Sequence, residues 1–159
     1  MKKSYFVGSW LVLALLAGCA AKHFTTKTPA FIVFKTPQIK LADQGFVMRA
    51  QNGAGAQIYS GGQPVFELTT GRRICLDGRC MDEGRFYERV MGARYPKGTL
   101  QAILQGRPVP GEGKVTKTAD GWIQKLYKRG RYDIIYTFNG KEARFKERLH
   151  RVLIKIREM

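Results

Sequence analysis

Tyr132-Asp133-Ile134-Ile135-Tyr136-Thr137-Phe138-Asn139-Gly140 is the stretch from which the fold can be read. Ile134, Tyr136 and Phe138 alternate with Ile135, Thr137 and Asn139, the period-two spacing of a strand with two different faces. Asn-Gly is favoured in the two-residue turn between antiparallel strands, so the stretch reads as a strand entering a hairpin. Arg144 to Leu149 returns, and Arg151 to Ile156 follows. There Val152, Ile154 and Ile156 alternate with Leu153, Lys155 and Arg157. An antiparallel, twisted sheet with one apolar face accounts for the pattern.

Toward the N-terminus the same grammar continues. Trp122 to Tyr127 is a strand. Phe31-Ile32-Val33-Phe34 is an apolar run ended by Pro37, and Ile39, Leu41, Phe46 and Met48 mark a second extended stretch. Gln51-Asn52-Gly53-Ala54-Gly55-Ala56 reads as a flexible turn and Ser60-Gly61-Gly62 as another. Between and after them lie Ile58-Tyr59, the Val65–Leu68 strand, and Arg73 to Leu76 beyond Gly71. Short strands punctuated by glycine are the pattern of a meander.

One segment breaks the strand rhythm. Asp82 suits the N-cap of a short helix, with Phe86 and Val90 four apart and Gly92 as the stop. A second helix is expected from near Pro96, with Leu100, Ile103 and Leu104 on one face, ending at Gly106. Arg107 to Gly113, rich in Pro and Gly, reads as a loop. Two short amphipathic helices must bury their stripes, and the concave face or mouth of a curled sheet is where they can do so. The expected fold class is mainly β with an α insertion: a curled antiparallel sheet, or half-open β-barrel, with a short two-helix lid.

Ile74-Cys75-Leu76-Asp77-Gly78-Arg79-Cys80-Met81 holds a second turn signal. A two-residue Asp77-Gly78 turn sets Cys75 opposite Cys80, close enough for a disulfide. The rival reading, a metal or redox pair, has poor spacing, since the two histidines, His23 and His150, lie far away in sequence.

The N-terminus has the layout of a secretory signal peptide: Lys2-Lys3, an apolar run from Tyr5 to Ala17, then Gly18-Cys19. The run is too short for a comfortable membrane span. Leu16-Ala17-Gly18-Cys19 resembles the bacterial lipobox, which implies removal of residues 1–18 and lipidation of Cys19. Residues 19–29 would form a lipidated tether and 30–159 a single domain. Ala20-Ala21, with no Asp beside the cysteine, implies the outer membrane, facing the periplasm. The chain has 28 basic and 12 acidic residues, and the leader carries only Lys2 and Lys3 among them. So basic a domain seeks anions. An exported lipoprotein does not normally meet nucleic acid; anionic headgroups, lipopolysaccharide phosphates or an acidic envelope partner are better matched. A solvated basic surface with no partner is the plainer alternative.

No catalytic constellation stands out. The acids are scattered, His23 falls in the tether, and His150 adjoins the last strand as an edge or interface side chain. No Ser-His-Asp, paired-carboxylate or metal-ligand spacing is present. The glycines at 53 and 55 precede no helix and no P-loop lysine. The sequence points to a non-enzymatic, cofactor-free binding protein.

The segment Val90-Met91-Gly92-Ala93-Arg94-Tyr95-Pro96-Lys97-Gly98-Thr99-Leu100-Gln101-Ala102-Ile103-Leu104-Gln105-Gly106-Arg107-Pro108 is similar to the central segment of the LolB family of outer-membrane lipoprotein receptors. Gly121-Trp122 and the closing Arg151–Ile156 strand resemble later parts of that family, so the likeness spans roughly 65–156. Ile103 stands where the family often has an aromatic. The resemblance implies a LolA/LolB-like fold with a helical lid over an apolar cavity. That cavity takes the acyl chains of other lipoproteins from a LolA-like periplasmic carrier and assists their insertion into the outer membrane, by a monomer. Phe46, Ile58, Phe66, Leu100, Ile103, Leu104, Trp122, Tyr136 and Ile154 are the candidate cavity residues, with plain core as the alternative for each. The competing function is an interaction lipoprotein whose basic face binds lipopolysaccharide or an envelope partner.

Overall fold

The computed structural model describes residues 24–111 and 113–159. The leader, Cys19 and tether residues 20–23 lie outside the described residues. Eleven strands form one antiparallel sheet: β1 (Thr26–Lys35), β2 (Lys40–Ala50), β3 (Gly53–Ser60), β4 (Gln63–Thr69), β5 (Ile74–Leu76), β6 (Arg79–Met81), β7 (Lys114–Lys117), β8 (Trp122–Lys128), β9 (Tyr132–Phe138), β10 (Glu142–Glu147) and β11 (Val152–Glu158). Their order across the sheet is β6-β5-β4-β3-β2-β1-β11-β10-β9-β8-β7. The first and last strands of the meander therefore meet in the middle, β1 against β11, and the two outer edges, β6 and β7, are not paired with each other. The sheet is open.

Alternation assigns the faces. Ile32 pairs with Ile156 and Phe34 with Ile154; Phe145 pairs with both Ile154 and Tyr136. These side chains share one face and are at most 2 % exposed. The intervening residues, such as Val33, Lys155 and Arg144, point the other way.

The helical insertion lies on the apolar face. Helix α1 (Glu83–Phe86) continues into a π-helical turn, Tyr87–Met91, and helix α2 (Thr99–Gln105) follows. Asp82 caps α1 as its sequence suggests, accepting from Arg85 N at 2.9 Å. The wide π turn lets Phe86, Tyr87, Val90 and Met91 all be buried. Gly92 ends it with φ 86°. The second helix starts at Thr99, later than Pro96 suggests, because Gly98 takes the N-cap with φ 82°. At its other end Gly106 (φ 64°) leaves no room for a side chain, since a Cβ there would lie 2.8 Å from Phe138. Neither helix is long enough to persist alone. Their order depends on the apolar faces they bury.

Helix α2 lies against both β3 and β10. Those strands are four places apart, roughly 19 Å in a flat sheet. A helix about 10–12 Å across cannot rest on both, so the sheet curls around it.

Five expectations are corrected. Gly53–Ala56 is not a turn but the start of β3, with only Gln51-Asn52 turning. Its small residues suit close packing: Ala54 and Ala56 are fully buried on the inner face beside α2, and on the outer face a Cβ on Gly55 would lie 2.9 Å from Met48 and 3.3 Å from Phe24. Thr26–Pro29, read as tether, belong to β1, because backbone pairing with β2 needs no apolar side chain. Edge strand β7 was not expected, since all four of its residues are exposed and carry no alternation. The hairpin between β9 and β10 turns on Gly140-Lys141 rather than Asn139-Gly140. Asn139 N donates to Glu142 O, and the Asn139 side chain accepts from the Lys141 and Glu142 amides. The strand expected to run to Leu149 ends at Glu147, and residues 148–151 form the turn. The other hairpin is as read. Asp77 and Gly78 both have positive φ, Cys75 faces Cys80, and the two are joined, S–S 2.01 Å.

Candidate functional site: the helical insertion on the concave face

Of the nine candidate cavity residues, seven come together. Ile58, Phe66, Tyr136 and Ile154 from the sheet and Leu100, Ile103 and Leu104 from α2 belong to one core cluster, none more than 2 % exposed. Trp122 packs against its margin, edge-on to Tyr136 with centroids 4.7 Å apart and stacked on Phe138 at 5.9 Å. Phe46 is the exception. It sits opposite Pro29 and Gln57 on the convex face, edge-on to Tyr59 and beneath the Lys27 ammonium at 4.3 Å. Its strand neighbour Val47 takes the inward position, and period two excludes both from the same face.

The sequence reading missed an aromatic path that connects insertion to sheet. Tyr87 meets Tyr95 (5.5 Å), Tyr95 meets Tyr132 and Phe145 (each 6.0 Å), and Phe145 meets Tyr136 (5.9 Å). Tyr95 was legible, since it stands inside the helical segment between two stops. Phe145 was legible from its alternation with Arg144 and Lys146.

Polar contacts fasten α2 at both ends. At the start, Gly98 N donates to Glu83 Oε1 (2.7 Å) and Leu100 N to the Tyr87 hydroxyl (2.9 Å), which itself donates to Glu83 (2.5 Å). At the end, Arg49 Nε donates to Leu104 O (2.9 Å), and its other nitrogen pairs with Glu158 at 2.6 Å. Gln105 Nε2 reaches the carbonyls of Ala50 and Gly53, and the Tyr136 hydroxyl donates to Ala102 O. The Arg49 guanidinium gives one of the last helix carbonyls, Leu104 O, a cationic donor from outside the helix. The 107–113 loop is held likewise: the buried Gln124 amide accepts from Val109 N and donates to Val109 O.

Burial raises the phenol pKa of Tyr87 and Tyr95 well above the ordinary value, and the charges of Glu83 and Glu147 push them further in the same direction. Burial also raises Tyr136, against an opposing pull from Arg49. All three hydroxyls therefore stay protonated and able to donate at neutral pH.

Outside the core, the turn between β10 and β11 is organised by Glu147. Its carboxylate is 1 % exposed and accepts from the backbone of Asp133, Leu149 and His150, and from the Tyr95 hydroxyl. His150 Nδ1 stands 3.0 Å from the same carboxylate, so this histidine belongs to the turn rather than to a strand edge. Among the described residues no group of three or more His, Cys, Asp or Glu could hold a metal, and no helix is long and apolar enough to cross a membrane. No family model matches this chain, and neither does any curated protein or solved structure.

Proposed function

We propose that this chain is an outer-membrane lipoprotein, anchored through Cys19, which takes acyl chains of other lipoproteins beneath its helical insertion and assists their insertion into the membrane. One observation carries the reading: two helices too short to stand alone seal a largely apolar, aromatic-rich concave face. The concave side chains are closed to solvent, so an acyl chain would enter as α2 lifts. Each methylene it buried would contribute about 0.8 kcal/mol in place of the displaced helix contacts. Transfer would need no cofactor or nucleotide, because small affinity differences between apolar sites set its direction.

The test has two parts. Cys19→Ala should move the protein from the membrane to the soluble fraction; a variant that stays in the pellet would overturn the anchor. Leu104→Glu should weaken binding of a fluorescent fatty acid while circular dichroism shows the sheet intact. Folded wild-type protein without saturable acyl binding would overturn the receptor reading. The excess of basic residues supports a second reading, an interaction lipoprotein whose cationic face binds anionic headgroups or an envelope partner.

A further inference from the structure

We propose a second binding site, a cationic depression for a phosphoryl anion on the convex face at the β10–β11 turn. The proposal deepens the second reading above, the cationic one, and makes no use of acyl binding. Lys35 of β1 and Lys146 of β10 both pair with Leu153 of β11, so the two lysines flank one leucine across three adjacent strands. Directly opposed side chains start about 5 Å apart. Arg148 and Arg151 close the end of the row, and with Glu147 and Val152 these residues line a depression of about 440 Å³.

Arg151 carries the argument furthest. Its φ is 58°, in the left-handed region where glycine or asparagine sits with less strain. An arginine holds that position, and its side chain lines the depression. Strained residues concentrate where a side chain must be aimed. The turn is fixed beneath it by the donors to Glu147 described above, so the one acid in the lining is already satisfied. Arg148 shares one nitrogen with Asp133 Oδ2 at 2.6 Å and has further N–H groups to donate. The next row along the face, Val33, Lys155 and Arg144, adds positive charge, of which Glu142 offsets one through Lys155 at 3.6 Å.

The chemistry favours phosphate oxygens, which guanidinium groups recognise with paired donors. The volume holds roughly fifteen waters at liquid density, more than a bare oxyanion fills. Leu153 and the neighbouring Leu149, 52 % exposed, offer apolar contact beside the cations. A phosphodiester carrying short acyl chains satisfies both halves.

The test titrates full-length protein in neutral detergent with three probes: inorganic phosphate, dihexanoyl phosphatidylglycerol below its micelle concentration, and dihexanoyl phosphatidylcholine. Saturable binding of the first or second, at least about tenfold tighter than the third, is expected. Phosphatidylglycerol binding tighter than phosphate identifies a lipid headgroup, and equal binding identifies free phosphate. Lys146→Glu and Arg151→Gly should each weaken the preferred probe about tenfold. Arg151→Gly should leave the melting temperature unchanged or higher, since it relieves the backbone, and both variants should bind a fluorescent fatty acid as wild type does. Phosphatidylcholine binding as tightly as phosphatidylglycerol, or variants with unchanged affinity, would overturn the site while leaving the acyl reading standing.

Discussion

The two faces of this sheet come from the same strands and have opposite chemistry. On β11, Val152, Ile154 and Ile156 point into the concavity and are nearly inaccessible, while Leu153, Lys155 and Arg157 point outward beside Lys146, Arg144 and Glu142. The inner face is apolar, aromatic and covered by helices. The outer face is cationic, with aromatics beside cations, Phe46 below Lys27 and Phe31 near Arg157. Period two lets one strand carry an apolar face and a cationic face without compromise between them. Changes on the inner face should therefore register in stability and acyl binding, and changes on the outer face in charge-dependent binding alone.

The largest effect should come from emptying the inner face. Phe145→Ala should cost about 3–5 kcal/mol in denaturant titration, because Phe145 is fully buried between Tyr95, Tyr136 and Ile154. A loss below about 1 kcal/mol would mean the concave face is loosely packed. Arg49→Ala comes next. It strips a donor from Leu104 O and the partner from Glu158, at about 1–3 kcal/mol. Amide exchange should speed up in α2 more than in β10.

Alkaline pH should act through the same face. Tyr87, Tyr95 and Tyr136 ionise at higher pH in the folded chain than the ordinary value of about 10. Above that value the unfolded chain loses protons that the folded chain keeps, so stability should fall as pH rises beyond about 10. A flat unfolding free energy from pH 8 to 11 would contradict the burial of these hydroxyls. The smallest effect belongs to the outer face, where Lys146→Glu should shift stability by no more than about 0.5 kcal/mol.

What could be read from the sequence follows the same division. Inner-face positions on β9, β10 and β11 announce themselves by alternation, and the Asp77-Gly78 turn fixed the register that pairs Cys75 with Cys80. The helix stops at Gly92 and Gly106 were equally clear. Gly53–Ala56 misled because small residues packed by neighbouring elements have the composition of a loop. Phe46 misled because size marks an aromatic as core, whereas only its neighbour Val47 has the parity for it. The fasteners of α2, Arg49, Gln105 and Tyr87, were hidden, since their partners are backbone groups brought close only by the curl of the sheet. The depression at Arg151 was hidden for the same reason, being spread over β1, β10, β11 and a turn.

The central claim is that acyl chains go to the concave face under α2. A fatty acid carrying a diazirine, photolysed with full-length protein in neutral detergent and mapped by peptide mass spectrometry, tests it most directly. The account predicts saturable adducts on Leu100, Ile103 or Leu104 and on Ile58 or Tyr136, reduced by excess unlabelled fatty acid. Adducts confined to convex-face residues such as Phe31, Phe46 and Tyr59, or adducts that no competitor reduces, would contradict it.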